Sequence, residues 1–346
     1  MGKQTLSGPT KFETLNTKLK TRKMTRLTIW TNALLTDEAR RALTEGTQDH
    51  RLFIAEQPPD VLAKADRDPD VSGANVVFGQ PDPADLIDSE QLGWVQISSA
   101  GYTRYDLPEL KSAFLRRRIP LTNSSQVFAE PCAEHLMAWL LADGRQLYPS
   151  FEEQKESRAW SQNALREKCR LLVDQTVLIV GLGSIARRLI ELLAPYRVRV
   201  QGYRRTPQPD SPIPIVAAEE LPEALASADH VVNILPQGNS TNGFFDTARF
   251  AQMRKGARYY SIGRGTTTDQ GALIGALRSG HLEAAYLDVT DPEPLPPDHP
   301  LWSTPNCYIT PHTGGGHTTE SIRTVEHFLN NLRRFEEGAP LIDRVW

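Results

Sequence analysis

From Arg26 onward, short apolar runs alternate with stretches in which apolar residues return every three or four positions. The runs "RLTIW" (26–30), "HRLFIAE" (50–56), "ANVVFG" (74–79) and "WVQISSAG" (94–101) predict strands, with a helical stretch from Leu35 to Leu43 after the first. Strands separated by helices indicate a parallel sheet, because a parallel pair needs a crossover long enough to hold a helix. "AEPCAEHLMAWLLADGRQL" (129–147) then places Ala133, Leu136, Met137, Leu140 and Leu141 on one broad helical face, suited to running between two domains. A second series starts at "QTVLIVGLGSIARRLIELL" (175–193). It continues through "VRVQGY" (198–203), "HVVNILP" (230–236), "ARYYSIG" (257–263), "EAAYLDV" (283–289) and "CYITP" (307–311). "TTESIRTVEHFLNNLRRFEEG" (318–338) repeats Ile322, Val325, Phe328, Leu329 and Leu332 at helical spacing, and Gly338 follows as a stop.

A length of 346 residues exceeds what one core usually holds, so two α/β domains are expected. Residues 1–25 show no hydrophobic period and no apolar core of a secretory signal; they read as a disordered extension. The net charge of −3 offers no global field for nucleic acid or anionic lipid, and no apolar run approaches the length of a membrane span. Three scattered cysteines, Cys132, Cys169 and Cys307, form no zinc spacing and suit a reducing, cytoplasmic compartment.

The strongest local signal is the turn after residues 176–180. Gly181, Gly183 and Ala186 form G-x-G-x-x-A between a strand and a helix. There the first glycine permits the turn, the second admits a pyrophosphate to the backbone, and the small third residue lets helix and strand pack. At the end of the next strand an NAD site places a carboxylate for the ribose. This chain has Arg204, Arg205 and Thr206 instead, which suit a 2′-phosphate. NADP is therefore the expected cofactor, with NAD as the alternative.

Three polar residues follow strand ends in the second series: Arg264 between glycines, Glu293 between prolines, and His312 in "TPHTGGG". Taken alone, His312 has three readings: a packed strand-end histidine, a metal ligand with His317, or a catalytic acid/base. Ligands bind outside the carboxyl ends of the strands in open α/β sheets, so the three residues together form an arginine–carboxylate–histidine set. No further ligand has metal spacing, and hydride transfer needs no Lewis acid, so no metal is expected.

With these motifs in order, the chain resembles the D-isomer-specific 2-hydroxy acid dehydrogenases. The resemblance rests on "SSAGYTRYDL", "PCAEHLMAWLLADGR", Trp160, "GLGSIA", "ILPQ", "SIGRGTTTDQGAL", "LDVTDPEPLP" and "PNCYITPHTGG", and covers Met24 to Trp346. It implies Rossmann-like and flavodoxin-like domains with a cleft between them: a substrate-binding domain at 26–125, completed by 311–346, and a dinucleotide-binding domain at 126–310. It further implies Arg264 as the substrate arginine, Glu293 as the partner of His312, and His312 as acid/base. Gly101 and Tyr102 would lie in the loop whose N–H groups receive the substrate carboxylate. Asp288 would lie near the nicotinamide carboxamide, and Ser184, Ile185, Leu235, Pro236 and Ile262 beside the cofactor. The implied partners are a small 2-oxo or 2-hydroxy acid and a second copy of the chain. Departures include Arg204, where several members carry Asp, and Ser261, where Asn is common. Glu293 argues against formate dehydrogenase activity, whose histidine pairs with glutamine. Two alternatives stay open: a non-catalytic, nucleotide-sensing corepressor-like scaffold and a phosphite dehydrogenase-like enzyme.

Overall fold

A computed structural model describes residues 26–55, 66–205 and 211–346; the expected N-terminal extension and Thr206 lie outside the described residues. The first series folds into a five-stranded sheet of β1 (Thr28–Thr31), β2 (Arg51–Ile54), β3 (Val76–Gly79), β4 (Trp94–Ile97) and β5 (Leu121–Thr122), in the order β2-β1-β3-β4-β5. All its pairings are parallel. Alternate side chains pack on opposite faces. Ile29, Val76, Phe78 and Trp94 enter one core, and Trp30, Val77, Val95 and Ile97 the other. The helix Glu320–Glu337, last in the chain, covers the first of these faces, with Phe328 stacked on Phe78 at 4.4 Å. Gly338 ends that helix in the left-handed conformation (φ 69°), as expected of a glycine stop.

The second series builds a seven-stranded parallel sheet: β6 (Thr176–Val180), β7 (Arg199–Tyr203), β8 (Ile215–Val216), β9 (His230–Asn233), β10 (Ala257–Ser261), β11 (Leu282–Leu287) and β12 (Cys307–Ile309). Its order, β12-β11-β10-β9-β6-β7-β8, reverses direction between β6 and β9. A crevice opens at such a switch point, outside the carboxyl ends of the strands.

The long linking helix runs from Ser125 to Gly144, starting and ending earlier than its apolar pattern indicated. Its burial is also broader than one face. Cys132, Trp139 and Ala142 are buried along with Ala133, Leu136, Met137 and Leu140, while Leu141 is only partly covered. The strands β5 and β8, two residues each, carry too little pattern to be seen in sequence. Among the described residues no helix is long and apolar enough to cross a membrane.

Candidate active site

β6 is buried along its whole length and delivers Gly181 to the crevice. Gly181 has φ +102°, and a Cβ there would lie 2.8 Å from the Ile234 carbonyl oxygen, so only glycine fits. Gly183 precedes the helix Ser184–Leu193, whose N-terminus no side chain caps, and a Cβ on Gly183 would meet nothing within 4 Å. The free N–H groups of this end therefore open onto unfilled space, which fits a pyrophosphate. Ala186 is fully buried behind them. Ser184 reaches across to the linking helix, where its Oγ donates to the Ser125 carbonyl at 3.3 Å, and Ile185 is partly buried against the core. Leu235 and Ile262, just past the ends of β9 and β10, are buried, whereas Pro236 is exposed. Beyond β7, Arg204 is half-buried, and Arg205 is exposed, with Nη1 donating to Ser240 Oγ at 2.8 Å.

The three polar residues converge from β10, β11 and β12. Arg264 is flanked by glycines because backbone crowds both sides. A Cβ on Gly263 would be 2.9 Å from Leu235 N, and one on Gly265 2.8 Å from Asp291 N. Arg264 Nη1 donates to the Gly263 carbonyl at 2.7 Å. Burial lowers its pKa, opposed by the charge of Glu293.

His312 Nδ1 lies 2.8 Å from Glu293 Oε2, with 34% and 27% of the two side chains exposed. An ionised carboxylate only accepts, so Nδ1 carries the hydrogen and Nε2 is left for a ligand. The hydrogen bond to Glu293 raises the His312 pKa; burial and the Arg264 charge oppose the rise. For Glu293, burial pushes the carboxyl upward. The His312 bond, the Thr290 N–H at 2.9 Å and the nearby positive charges outweigh it and hold the pKa below its usual value.

His312 itself is in the left-handed region, φ +53°, uncommon for a residue with a side chain. Asp288, buried to 2% exposure, holds it there. Its carbonyl accepts the His312 N–H at 2.9 Å. Its Oδ1 accepts Thr310 Oγ1–H at 2.7 Å and the Thr313 and Gly314 amides at 2.8 and 3.0 Å. Oδ2 takes the Gly314 amide as well, at 2.9 Å. Sequence reasoning linked Asp288 to the cofactor alone; here its carboxylate engages the histidine loop. Close packing also accounts for Gly314, where a Cβ would be 2.7 Å from both Asp288 Oδ2 and Ile262 Cδ1. His317 does not join His312; its Nδ1 is 3.1 Å from Thr319 Oγ1. His135 is packed, edge-on to Trp139 at 4.2 Å and 3.1 Å from Thr310 Oγ1.

The loop after β4 brings Gly101 from the first sheet against Arg264 of the second. A Cβ on Gly101 would lie 2.9 Å from Arg264 Cζ and closer still to Nη2, so the guanidinium rests directly on the Gly101 backbone. Asn123, absent from the sequence-predicted set, donates from Nδ2 to the Ala100 carbonyl at 2.7 Å and fixes this loop. Tyr102 is partly buried and begins the short turn Thr103–Tyr105.

A family model described as "D-isomer specific 2-hydroxyacid dehydrogenase, NAD binding domain" matches residues 137–314, over half of the chain. The human glyoxylate reductase/hydroxypyruvate reductase is 33% identical over 251 residues, covering 71% of this chain and 75% of that protein. The crystal structure of the TT0316 protein from Thermus thermophilus superposes with a TM-score of 0.74 at 30% identity, over 92% of this chain and 100% of that one. A D-isomer specific 2-hydroxyacid dehydrogenase from Xanthobacter autotrophicus Py2, solved with NADPH and MES, gives 0.78 at 25% identity, over 93% and 98%. Paired parallel sheets, an open dinucleotide turn and these relatives lead to one conclusion: the chain belongs to the D-isomer-specific 2-hydroxyacid dehydrogenases, NAD(P)-dependent enzymes acting on CH–OH donors.

Proposed function

We propose that the protein is an NADP-preferring reductase of small 2-oxo acids, with glyoxylate and hydroxypyruvate, named for the human relative, as the first candidates. The observation that carries this reading is the cluster at the cleft: Arg264 resting on Gly101, with the His312–Glu293 pair close enough to feel the guanidinium charge. When bound, the nicotinamide cofactor supplies the hydride that reduces the carbonyl carbon. Gly181, Gly183, Ser184 and Ile185 would hold its pyrophosphate side, with Leu235, Pro236 and Ile262 lining the crevice. Arg204 and Arg205 would grip the 2′-phosphate. The absence of a carboxylate at the end of β7 supports that preference, as does the NADPH bound to the Xanthobacter relative.

In this reading the first sheet and its covering helix form a substrate-binding domain and the second sheet a dinucleotide-binding domain. Arg264 pairs with the substrate carboxylate and polarises the carbonyl, while the N–H groups at Gly101 and Tyr102 complete the carboxylate site. His312, held protonated by Glu293, gives the Nε2 proton to the carbonyl oxygen as negative charge develops there. Glu293 stabilises the imidazolium and fixes the ring, and Asp288 sets the loop that aims it. Exposed Leu147 and Phe151, on the helix Leu147–Lys155 that follows the linking helix, and exposed Trp160, after that helix, support self-association through this segment. Sparse cysteines support a cytoplasmic setting.

The test is a panel of 2-oxo acids with NADPH and NADH, plus phosphite with the oxidised cofactors. Turnover of glyoxylate or hydroxypyruvate, more efficient with NADPH, is expected. Tight cofactor binding with no 2-oxo acid turned over would overturn the reading in favour of a scaffold, and turnover of phosphite alone in favour of a phosphite dehydrogenase-like enzyme.

A further inference from the structure

The stretch following the helix Glu320–Glu337 returns to the first sheet through a set of specific bonds. Asn331, fully buried, grips it with both ends of its amide: Nδ2 donates to the Ile342 carbonyl at 3.1 Å, and Oδ1 accepts the Ile342 N–H at 2.8 Å. Asp343 accepts the Gln126 N–H at 2.8 Å and lies 3.3 Å from His327 Nε2, in a pair more than nine-tenths buried. The backbone then runs antiparallel beside β5. Asn123 N donates to the Asp343 carbonyl at 3.0 Å, Val345 N to Leu121 at 2.8 Å, and Leu121 N to Trp346 at 3.3 Å. These bonds fix where the Trp346 ring stands: edge-to-face with Tyr102, centroids 6.1 Å apart and planes at 81°. Lys111 Nζ lies 5.6 Å over the same indole. Trp346 Nε1 is buried with no hydrogen-bond partner among the described residues, so packing rather than polar recognition holds the ring.

Tyr102 follows the residue on which Arg264 rests. The loop before it is tied by hydrogen bonds: Ser124 N to the Ser99 carbonyl at 3.0 Å, Asn123 Nδ2 to Ala100, and Ser99 Oγ to the Gly101 carbonyl at 2.7 Å. On the far side, the Tyr102 carbonyl takes the Tyr105 N–H at 2.8 Å, and its ring packs against the core of the first sheet and against Trp346. The ring is thus the side-chain anchor of the peptide between Gly101 and Tyr102. An edge-to-face pair is worth roughly a two- to tenfold change in an equilibrium constant.

We propose that Trp346 is a positioning residue for substrate binding: held by residues 342–346, it pins Tyr102 so that the Gly101–Tyr102 N–H groups stay aligned under the Arg264 guanidinium. This rests on the reading of that loop as the carboxylate site. Because the carboxylate is bound alike in ground and transition states, loosening the loop acts on KM far more than on kcat.

The test compares Trp346→Ala and Trp346→Phe with the unaltered full chain. It measures KM and kcat for glyoxylate at saturating NADPH, NADPH affinity, and amide hydrogen exchange over residues 98–107. We expect Trp346→Ala to raise the glyoxylate KM by roughly two- to tenfold, with kcat and NADPH affinity little changed. Exchange should rise over 98–107 but not over 176–186, and Trp346→Phe should restore most of both effects. Unchanged exchange over 98–107 would overturn the anchoring; faster exchange there with an unchanged KM would overturn the role in substrate binding. Failure of the unaltered protein to reduce glyoxylate or hydroxypyruvate would instead sink the functional reading, and the substrate role of Trp346 with it.

Discussion

Replacing Gly101 with alanine tests the contact that joins the two sheets at the site. The added methyl would stand 2.9 Å from Arg264 Cζ and nearer to Nη2. Carbon atoms pack at about 3.5–4.0 Å, so Cζ must retreat by roughly 1 Å and Nη2 by more. A guanidinium at the end of a flexible chain can make that move cheaply, and the melting temperature should change little. Catalysis has no such slack: a misplacement of about 1 Å at a positioning group can cost on the order of 10²-fold. Gly101→Ala should therefore lower kcat/KM for glyoxylate or hydroxypyruvate by roughly 10²-fold while NADPH affinity holds. Steady-state kinetics, cofactor titration and thermal unfolding on the same preparations separate these effects. A variant with kcat/KM within a factor of about three of the unaltered protein would refute the placement of the substrate carboxylate against both Arg264 and this loop.

Arg204→Asp should reverse or erase the proposed preference for NADPH, because a carboxylate repels the 2′-phosphate and accepts from a free 2′-hydroxyl; equal kcat/KM for the two cofactors in the unaltered protein would refute the premise. His312→Ala should lower kcat by roughly 10²–10⁴-fold with cofactor affinity intact, and a loss below tenfold would remove it as the proton donor. Fully buried His230, bonded to Gln175 Oε1 at 2.5 Å and to the Tyr260 hydroxyl at 3.0 Å, has its pKa lowered to about 4 by burial. A depressed folded-state pKa means that its neutral form contributes stability above about pH 6.5, lost as pH falls toward the folded value. His230→Asn should accordingly be less stable at pH 7 yet lose less on acidification to pH 4 than the unaltered protein, and parallel declines would exclude His230 as a source of acid sensitivity.

The two strand series, the dinucleotide turn and the glycine stop at Gly338 were legible because each has a local pattern. Strand ends were less so. The apolar runs continue through Leu235, Ile262 and Val289, which are buried in the site loops at 7%, 5% and 3% exposure without being in strands. Hydropathy therefore does not distinguish a strand from the buried loop that follows it. The linking helix packs round much of its circumference, and its pattern understated that burial. The left-handed conformation of His312 was not legible in the sequence, because besides a local bond to the Thr310 carbonyl its backbone is held from Asp288, 24 positions earlier. Asn123 and Trp346 were missed for the same reason: their partners at Ala100 and Tyr102 meet them only once the first sheet is assembled.

The pairing of Glu293 with His312 is the centre of the mechanism we propose, and the pH dependence of kcat/KM in the reduction direction tests it most directly. In that mechanism reduction needs the imidazole protonated, so activity should fall as pH rises through the His312 pKa, which the Glu293 hydrogen bond raises. Glu293→Gln keeps the shape of the side chain and removes the charge, so the pKa must drop and the falling limb must move to lower pH. A limb that stays where the unaltered enzyme has it would contradict the account.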